Sequence, residues 1–336
     1  MSVYLLSDFL SPTSGITLSD QTSHLLPQSD ANALWAAYAA GRPLLIKGEP
    51  GTGKSQTAKA IAKHLGWVFV EEVINYHTEL NDLFYSFDAV QRLADAQVNN
   101  AISSPKPEQA EQAEKPEKLK STPAIDNLSP EHYLSPGPLW WAFNYSSAKT
   151  QHDKVSCQHR PKPSNSEDKC KGVVLLLDEI DKAQPELANG LLGALGNREF
   201  VVPYLNQPIK VAPNANLLVV ITSNDERELP QAFIRRCLVH TLHMESSPAL
   251  GKSGQELRYE WLIERAKSHF GGDVADEVYL QAAQTLWKDR EAVRGNGYKP
   301  GLAEYIDLLR VLASLDKHEQ LSTMRDISQY VLRKDS

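Results

Sequence analysis

Residues 48–55 contain the glycines, the lysine and the hydroxyl that a phosphate-binding loop requires. Their sequence, GEPGTGKS, fits the pattern G-x-x-x-x-G-K-[ST] at every position. Glycines allow the backbone to fold around a phosphate with its N–H groups pointing inward, and the dipole of a helix that begins there favours an anion. Lys54 is predicted to reach the β- and γ-phosphates of a nucleotide, and Ser55 to hold Mg²⁺. The predicted nucleotide contacts are Gly48, Glu49, Pro50, Gly51, Thr52, Gly53, Lys54, Ser55 and Gln56.

A pair of acidic residues completes the chemistry that such a loop needs. Asp178 and Glu179 directly follow the apolar run VVLLL at 173–177. An unalternating apolar run is typical of a central parallel strand that is covered on both faces. Asp178 is predicted to bind Mg²⁺, and Glu179 to orient and deprotonate a water that faces the γ-phosphate. The Asp-Glu pair and the absence of an N-K-x-D base-reading motif from the sequence favour ATP as the nucleotide.

Alternating strand and helix patterns surround the two motifs. A short apolar run, 42–47, predicts a strand before the phosphate loop, and 56–65 predicts a helix after it. Further strands are predicted over 67–74, 173–177 and 217–222, a hairpin over 199–211, and helices over 31–40, 82–97 and 185–195. Only helical patterns follow from about residue 256. This order predicts an α/β fold, a P-loop NTPase with a doubly wound parallel sheet and a small C-terminal all-α domain.

Composition divides the chain further. Residues 1–30 are predicted to be a loosely structured lead-in, 31–250 the nucleotide-binding core and 251–336 a helical lid. Two insertions, 99–130 and 146–171, have few large apolar residues and several prolines, so they cannot bury enough surface to offset the entropy of ordering. Both are therefore predicted to be disordered.

The second insertion contains four side chains that bind zinc in other proteins. They are His152, Cys157, His159 and Cys170. Their spacing matches no compact zinc site, and the flanking sequence is of low complexity. A free basic loop is the preferred interpretation.

Length and composition exclude several classes of protein. The 336 residues carry a net charge of −7, which disfavours nucleic acid as a partner. Three cysteines cannot form a disulfide framework, and no apolar run approaches the roughly 20 residues that span a bilayer. No lysine or arginine precedes Arg42, which argues against a signal or transit peptide. We expect a cytoplasmic protein without a membrane partner.

The motifs resemble those of the AAA+ ATPases, and most closely their MoxR-like branch. Besides residues 48–55, the resemblance rests on DEIDKAQP at 178–185, LLGAL at 191–195 and LLVVITSN at 217–224. GPL at 137–139 resembles a further element of that branch. The likeness covers most of residues 31–315 outside the two insertions.

The resemblance implies further site residues and a ring. Asn224 lies where such proteins have a polar sensor that helps to position the attacking water. Arg236 lies in the segment that bears an arginine finger for the neighbouring subunit; it is preferred over Arg235 because the finger of that branch directly precedes a strand. The branch also has a lid arginine after a proline, where this sequence has Gly301, and Lys299 either replaces that arginine or is a solvated lysine.

The resemblance implies a function as well. MoxR-like relatives form rings, with a hexamer as the expected form, and act as chaperone-like remodellers of client proteins that the sequence does not identify. One alternative is an ATP-operated switch or scaffold with little turnover. Another is the NTPase motor of a McrBC-like nucleic-acid system, for which the basic loop 146–171 would contact the backbone.

Overall fold

A five-stranded parallel sheet lies at the centre of the fold. The computed structural model describes residues 4–10, 16–19, 22–103, 128–155, 163, 170–244, 254–293 and 298–332. The five strands are β3 (Leu44–Gly48), β4 (Val68–Val73), β7 (Val173–Asp178), β10 (Leu217–Ser223) and β11 (Leu238–Leu242). Their order across the sheet is β11-β3-β10-β7-β4, and each neighbouring pair is parallel.

Helices cover both faces of this sheet, because its strands are apolar on both sides. Along β7, Leu175 and Leu177 point into one core, whereas Val174 and Leu176 point into the other. The helices that pack on the sheet are α2 (Gln28–Ala40) and α3 (Lys54–Leu65) on one face, and α6 (Pro138–Phe143) and α8 (Pro185–Asn197) on the other. The predicted doubly wound parallel sheet is confirmed.

Four helices form the C-terminal part of the described chain. They are α10 (Gly254–Phe270), α11 (Asp276–Ala292), α12 (Leu302–Ala313) and α13 (Lys317–Leu332). They enclose a core of their own, which includes the fully buried side chains of Leu262, Tyr279 and Tyr305. This confirms the predicted helical region after the sheet. Among the described helices, none has the length and apolar character needed to cross a membrane.

The described N-terminal residues, 4–10, 16–19 and 22–24, include regular elements that the prediction of a loosely structured lead-in did not anticipate. They form α1 (Leu6–Phe9) and an antiparallel hairpin of β1 (Ile16–Ser19) and β2 (Thr22–His24). Phe9 is fully buried, and its ring lies 5.6 Å from that of Tyr38 and 6.3 Å from that of Trp67. The scattered apolar residues of this segment belong to the core beside α3, and this packing supplies the order that local sequence lacks.

A short strand interrupts the helix predicted over 82–97. The observed elements are α4 (Leu80–Phe84), β5 (Tyr85–Phe87) and α5 (Ala89–Ser103). β5 pairs with β6 (Leu134–Pro136). The predicted hairpin is confirmed as β8 (Glu199–Phe200) and β9 (Ile209–Lys210). Phe87 of β5 stacks on Tyr204, which lies between these two strands, with the ring centres 4.5 Å apart. Tertiary pairing thus overrides the helical pattern.

The second predicted insertion begins later than its composition suggests. Residues 145–154 form α7 (Tyr145–Lys154), in which Gln151 is buried and its amide donates to the Leu134 carbonyl at 2.8 Å. His152 of the same helix packs against Trp141 of α6. Cys157 and His159, like most of 104–127 and 156–169, lie outside the described residues. Within the described ranges, no cluster of three or more His, Cys, Asp or Glu side chains is suited to a metal.

Candidate nucleotide-binding site

The phosphate loop connects β3 to α3 and needs glycine for two different reasons. Gly53 has a φ of +93° at the start of α3, a backbone conformation that residues with a Cβ rarely adopt. Gly48 has φ of +152°, and a Cβ on it would lie 2.7 Å from the carbonyl oxygen of Leu242 in β11. The loop therefore takes its shape both from local conformation and from the close approach of a neighbouring strand.

Gly48→Ala is expected to lower the free energy of unfolding by about 1–3 kcal/mol and to weaken ATP binding. The new methyl group would push β11 away from the loop. A matched control is Gly193→Ala in α8, where nothing lies within 4 Å of the new Cβ, and where alanine should stabilise by about 0.5–1 kcal/mol. Urea unfolding and ATP titration measure both effects. Equal behaviour of the two variants would contradict the close-approach argument.

Lys54 lies at the first position of α3 and is directed back into the loop. Its Nζ donates to the carbonyl oxygens of Gly48 at 2.8 Å and Glu49 at 2.9 Å. Burial lowers the pKa of this ammonium, while the carboxylates of Asp178, Asp181 and Glu179 act in the opposite direction. Among the described residues, the hydrogen-bond partners of this buried ammonium are the two carbonyl oxygens, and a phosphate would place an anion in direct contact with it.

Ser55 and Asp178 meet directly. The Ser55 hydroxyl donates to the two Asp178 carboxylate oxygens at 2.8 and 2.9 Å. Thr222, which lies beside Asp178 at the end of β10, hydrogen-bonds to the same carboxylate and accepts from the backbone N–H of Glu179. A hydroxyl and a carboxylate are the hard oxygen ligands that Mg²⁺ prefers, so these side chains fit the metal that the sequence predicts.

Glu179 is held in place by residues from two neighbouring segments. Its Oε1 accepts from the amide of Asn224 at 3.3 Å, and its Oε2 accepts from Lys182 at 2.7 Å. The loop that carries Asn224 is bound in turn by Asp181, whose carboxylate accepts from the backbone N–H groups of Asn224 at 3.3 Å and Glu226 at 3.1 Å. Asp181 is buried, so this link is protected from solvent.

Most of the predicted site residues line one cavity of about 420 Å³. The predicted residues that line it are Pro50, Gly51, Gly53, Lys54, Ser55, Gln56, Asp178, Glu179 and Asn224. Gly48 and Glu49 contribute carbonyl oxygens to Lys54 instead, and Thr52 lines a neighbouring cavity on the other side of the loop. The structure therefore brings the two sequence motifs and the predicted sensor to one place.

Arg235 and Arg236 lie elsewhere. They form the exposed end of α9 (Gln231–Arg236) and do not line the cavity. Arg42 binds this end of the helix, because its guanidinium donates to the carbonyl oxygens of Arg235 at 2.5 Å and Arg236 at 3.1 Å. The structure therefore separates these two predicted site residues from the cavity that the other predicted residues line.

The N-terminal hairpin and the lid supply site residues that sequence reasoning missed. The cavity is also lined by Leu18, Ser23, His24, His269, Leu302, Ala303, Ile306, Asp307 and Arg310. His24 is half-buried, and desolvation, with a smaller effect of Arg265, lowers its pKa to about 4. Its ring lies 3.2 Å from the Thr57 hydroxyl. No local pattern marks these residues, because only packing of the hairpin and the lid places them here.

The lid departs from the branch pattern as the sequence indicates. Gly301 begins α12, and a Cβ there would lie 3.1 Å from the Pro50 carbonyl oxygen. Lys299 is exposed and is not among the described residues that line the cavity. Arg310, two turns further along α12, lines the cavity and pairs with Asp307 at 2.6 Å.

A phosphate loop at the carboxyl edge of a parallel sheet, with acids at the end of an adjacent strand, defines the P-loop NTPase class. Residues 43–237 match the AAA domain of the dynein-related subfamily. This match covers more than half of the chain, and the protein belongs to this family of AAA+ ATPases.

Two further comparisons add little. No curated protein matches the sequence. A solved structure described as a "putative ATPase" from Cytophaga hutchinsonii is similar over 88% of this chain and 78% of that chain, with 12% identity and a TM-score of 0.34. At such values the likeness carries no argument about function.

Proposed function

We propose that this AAA+ ATPase hydrolyses ATP with Mg²⁺ in a ring, as a MoxR-like remodeller of partner proteins. The proposal that ATP is hydrolysed rests on the contact between Glu179 and Asn224 beside the phosphate loop. An acid held at the edge of the site by a neutral amide can orient a water and accept its proton.

The side chains divide the work on ATP between binding and chemistry. The backbone of the loop and Lys54 bind the β- and γ-phosphates, and Lys54 exchanges its carbonyl partners for phosphate oxygens. Glu179 takes the proton of the attacking water, and Asn224 keeps the carboxylate and the water in line. Asp181 acts through the Asn224 loop and is a positioning residue.

Ser55 and Asp178 would hold Mg²⁺ in this site. When bound, the metal supplies positive charge to the β- and γ-phosphate oxygens. The present contact between the Ser55 hydroxyl and Asp178 keeps both ligands close to each other, and Thr222 orients the carboxylate.

A ring accounts for the position of Arg236. An exposed guanidinium that does not line the cavity of its own chain can complete the site of a neighbour, where it stabilises charge in the transition state. Remodelling of a client protein is implied only by the resemblance of the motifs to those of MoxR-like proteins. The Glu179→Gln variant, which should retain ATP, is the suitable bait for capturing that client.

Lys54→Ala is expected to lose most of its ATP affinity, by about tenfold or more, because the loop amides would face a polyanion without a nearby cation. Lys59→Ala is the matched control: Lys59 lies on the same helix but pairs with Glu71 at 3.0 Å. Equilibrium titration with ATP and Mg²⁺ compares the two. Wild-type affinity in Lys54→Ala would contradict binding at this loop.

The same site argues against a switch with incidental turnover, because both groups needed for water activation are present and in contact. Half of the basic loop 146–171, which would support a nucleic-acid motor, lies outside the described residues. A salt-titrated DNA-binding assay tests that reading directly.

A further inference from the structure

Arg290 of the lid makes a direct contact with the phosphate loop. This residue lies near the end of α11 and is only 9% exposed. Its Nη2 donates to the carboxylate of Glu49, the second residue of the loop. Among the described residues, Glu49 is the only carboxylate with which Arg290 forms an ion pair. A buried guanidinium that has a single counter-ion depends strongly on that partner.

The same guanidinium also binds the start of the next lid helix. Its Nη1 donates to the carbonyl oxygen of Pro300 at 3.0 Å, and its Cζ lies over the Trp287 ring, 5.3 Å from the ring centre. Pro300 immediately precedes Gly301, whose missing side chain allows α12 to approach Pro50. One side chain therefore joins α11, the first turn of α12 and the phosphate loop.

Glu49 transmits this contact to the nucleotide site. Its backbone carbonyl accepts from Lys54 at 2.9 Å and from the Thr52 hydroxyl at 2.9 Å. A shift of Glu49 would therefore move the acceptors that hold the phosphate-binding lysine. Pairing with Arg290 also neutralises a carboxylate that would otherwise repel a triphosphate at this loop.

We propose that Arg290 and Glu49 form a lid latch that holds the phosphate loop and the lid in the geometry that binds ATP. Arg290 is then a positioning residue for ATP binding that acts through Glu49 and Pro300. The proposal rests on nucleotide binding at residues 48–55, and not on the ring, the finger or the client.

The test compares Arg290→Met, Glu49→Gln and the double variant in steady-state ATP hydrolysis and in thermal unfolding without nucleotide. Arg290→Met should raise the KM for ATP about tenfold or more, the effect of losing a charge-assisted contact. Arg258→Met is the matched control, because Arg258 also lies over Trp287, at 4.7 Å, but pairs with Glu291 inside the lid. Its KM should equal that of the wild type.

The double variant separates positioning from simple stability. Removing both charges should return the melting temperature towards the wild-type value, since neither the buried guanidinium nor the Glu49 carboxylate is then left without its counter-ion. The KM should nevertheless stay raised, and no higher than in the worse single variant. A KM that recovers together with the melting temperature, or that multiplies the two single effects, would overturn the latch.

Arg290→Lys keeps the proposal testable if Arg290→Met does not fold. Lysine keeps the charge but cannot place two fixed donors on Glu49 and Pro300, so a folded protein with a raised KM is expected. An unchanged KM in this variant would refute the latch. Loss of ATP binding in Lys54→Ala beside a normal KM in Arg290→Lys would leave the proposed function intact and remove this inference alone.

Discussion

Glu179→Gln is expected to bind ATP with wild-type affinity and to hydrolyse it at least about a hundredfold more slowly. Glutamine keeps the shape of the side chain and still accepts from the Asn224 amide, but it cannot take a proton from water. The new NH₂ group would face Lys182, whose ammonium now pairs with Glu179 at 2.7 Å, and that contact should be lost.

The measurement is single-turnover hydrolysis beside equilibrium ATP binding. Glu226→Gln is the matched control, since Glu226 is an exposed acid on the neighbouring loop and its removal changes net charge by the same amount. We expect this control to hydrolyse ATP normally. Near-normal turnover in Glu179→Gln would assign water activation to a different group.

Arg236→Ala is expected to bind ATP at its own phosphate loop and to lose hydrolysis by about 10³-fold or more, the scale of an arginine finger. The physical reason is the loss of a fixed guanidinium from the neighbour's site rather than from its own. Arg235→Ala, one residue earlier on the same exposed helix end, should retain most of the activity.

Mixing two inactive proteins tests the action in trans. An Arg236→Ala subunit has an intact loop and Glu179, and a Glu179→Gln neighbour can offer it a good finger. Part of the activity should return wherever the two adjoin in the correct order. If subunit exchange is demonstrated and no activity returns, or if Arg236→Ala alone hydrolyses ATP normally, the assignment to Arg236 is wrong.

The geometry of Arg42 gives this prediction its structural basis. Its guanidinium binds the carbonyl oxygens at the end of α9, and the adjacent Pro43 carbonyl accepts from the N–H of Leu238 at 2.8 Å. The helix end that bears Arg236 is therefore tied to the strand that leads into the phosphate loop. Sequence reasoning gave Arg42 no role, because its partners lie more than 190 positions away.

The sequence by itself determined the class of fold and the chemical centre. The phosphate loop carries its own information, since glycines, a lysine and a hydroxyl in a set order have few other uses. Unalternating runs such as 173–177 predict central strands, and the carboxyl edge of a parallel sheet is where the residues that follow such strands meet. Lys54, Ser55, Asp178 and Glu179 could therefore be assigned to one site from the sequence, and the resemblance to AAA+ ATPases added Asn224.

Only the tertiary structure decided which residues complete the site. His24, Arg290 and Arg310 belong to segments whose local patterns are those of ordinary hairpins and helices. Their positions beside the phosphate loop and its cavity arise because the hairpin and the C-terminal helices pack there, and contacts between residues hundreds of positions apart leave no periodic signal in the sequence. The same holds for the strand at 85–87 and the buried α7 helix, where packing supplied the free energy of ordering that local propensity did not.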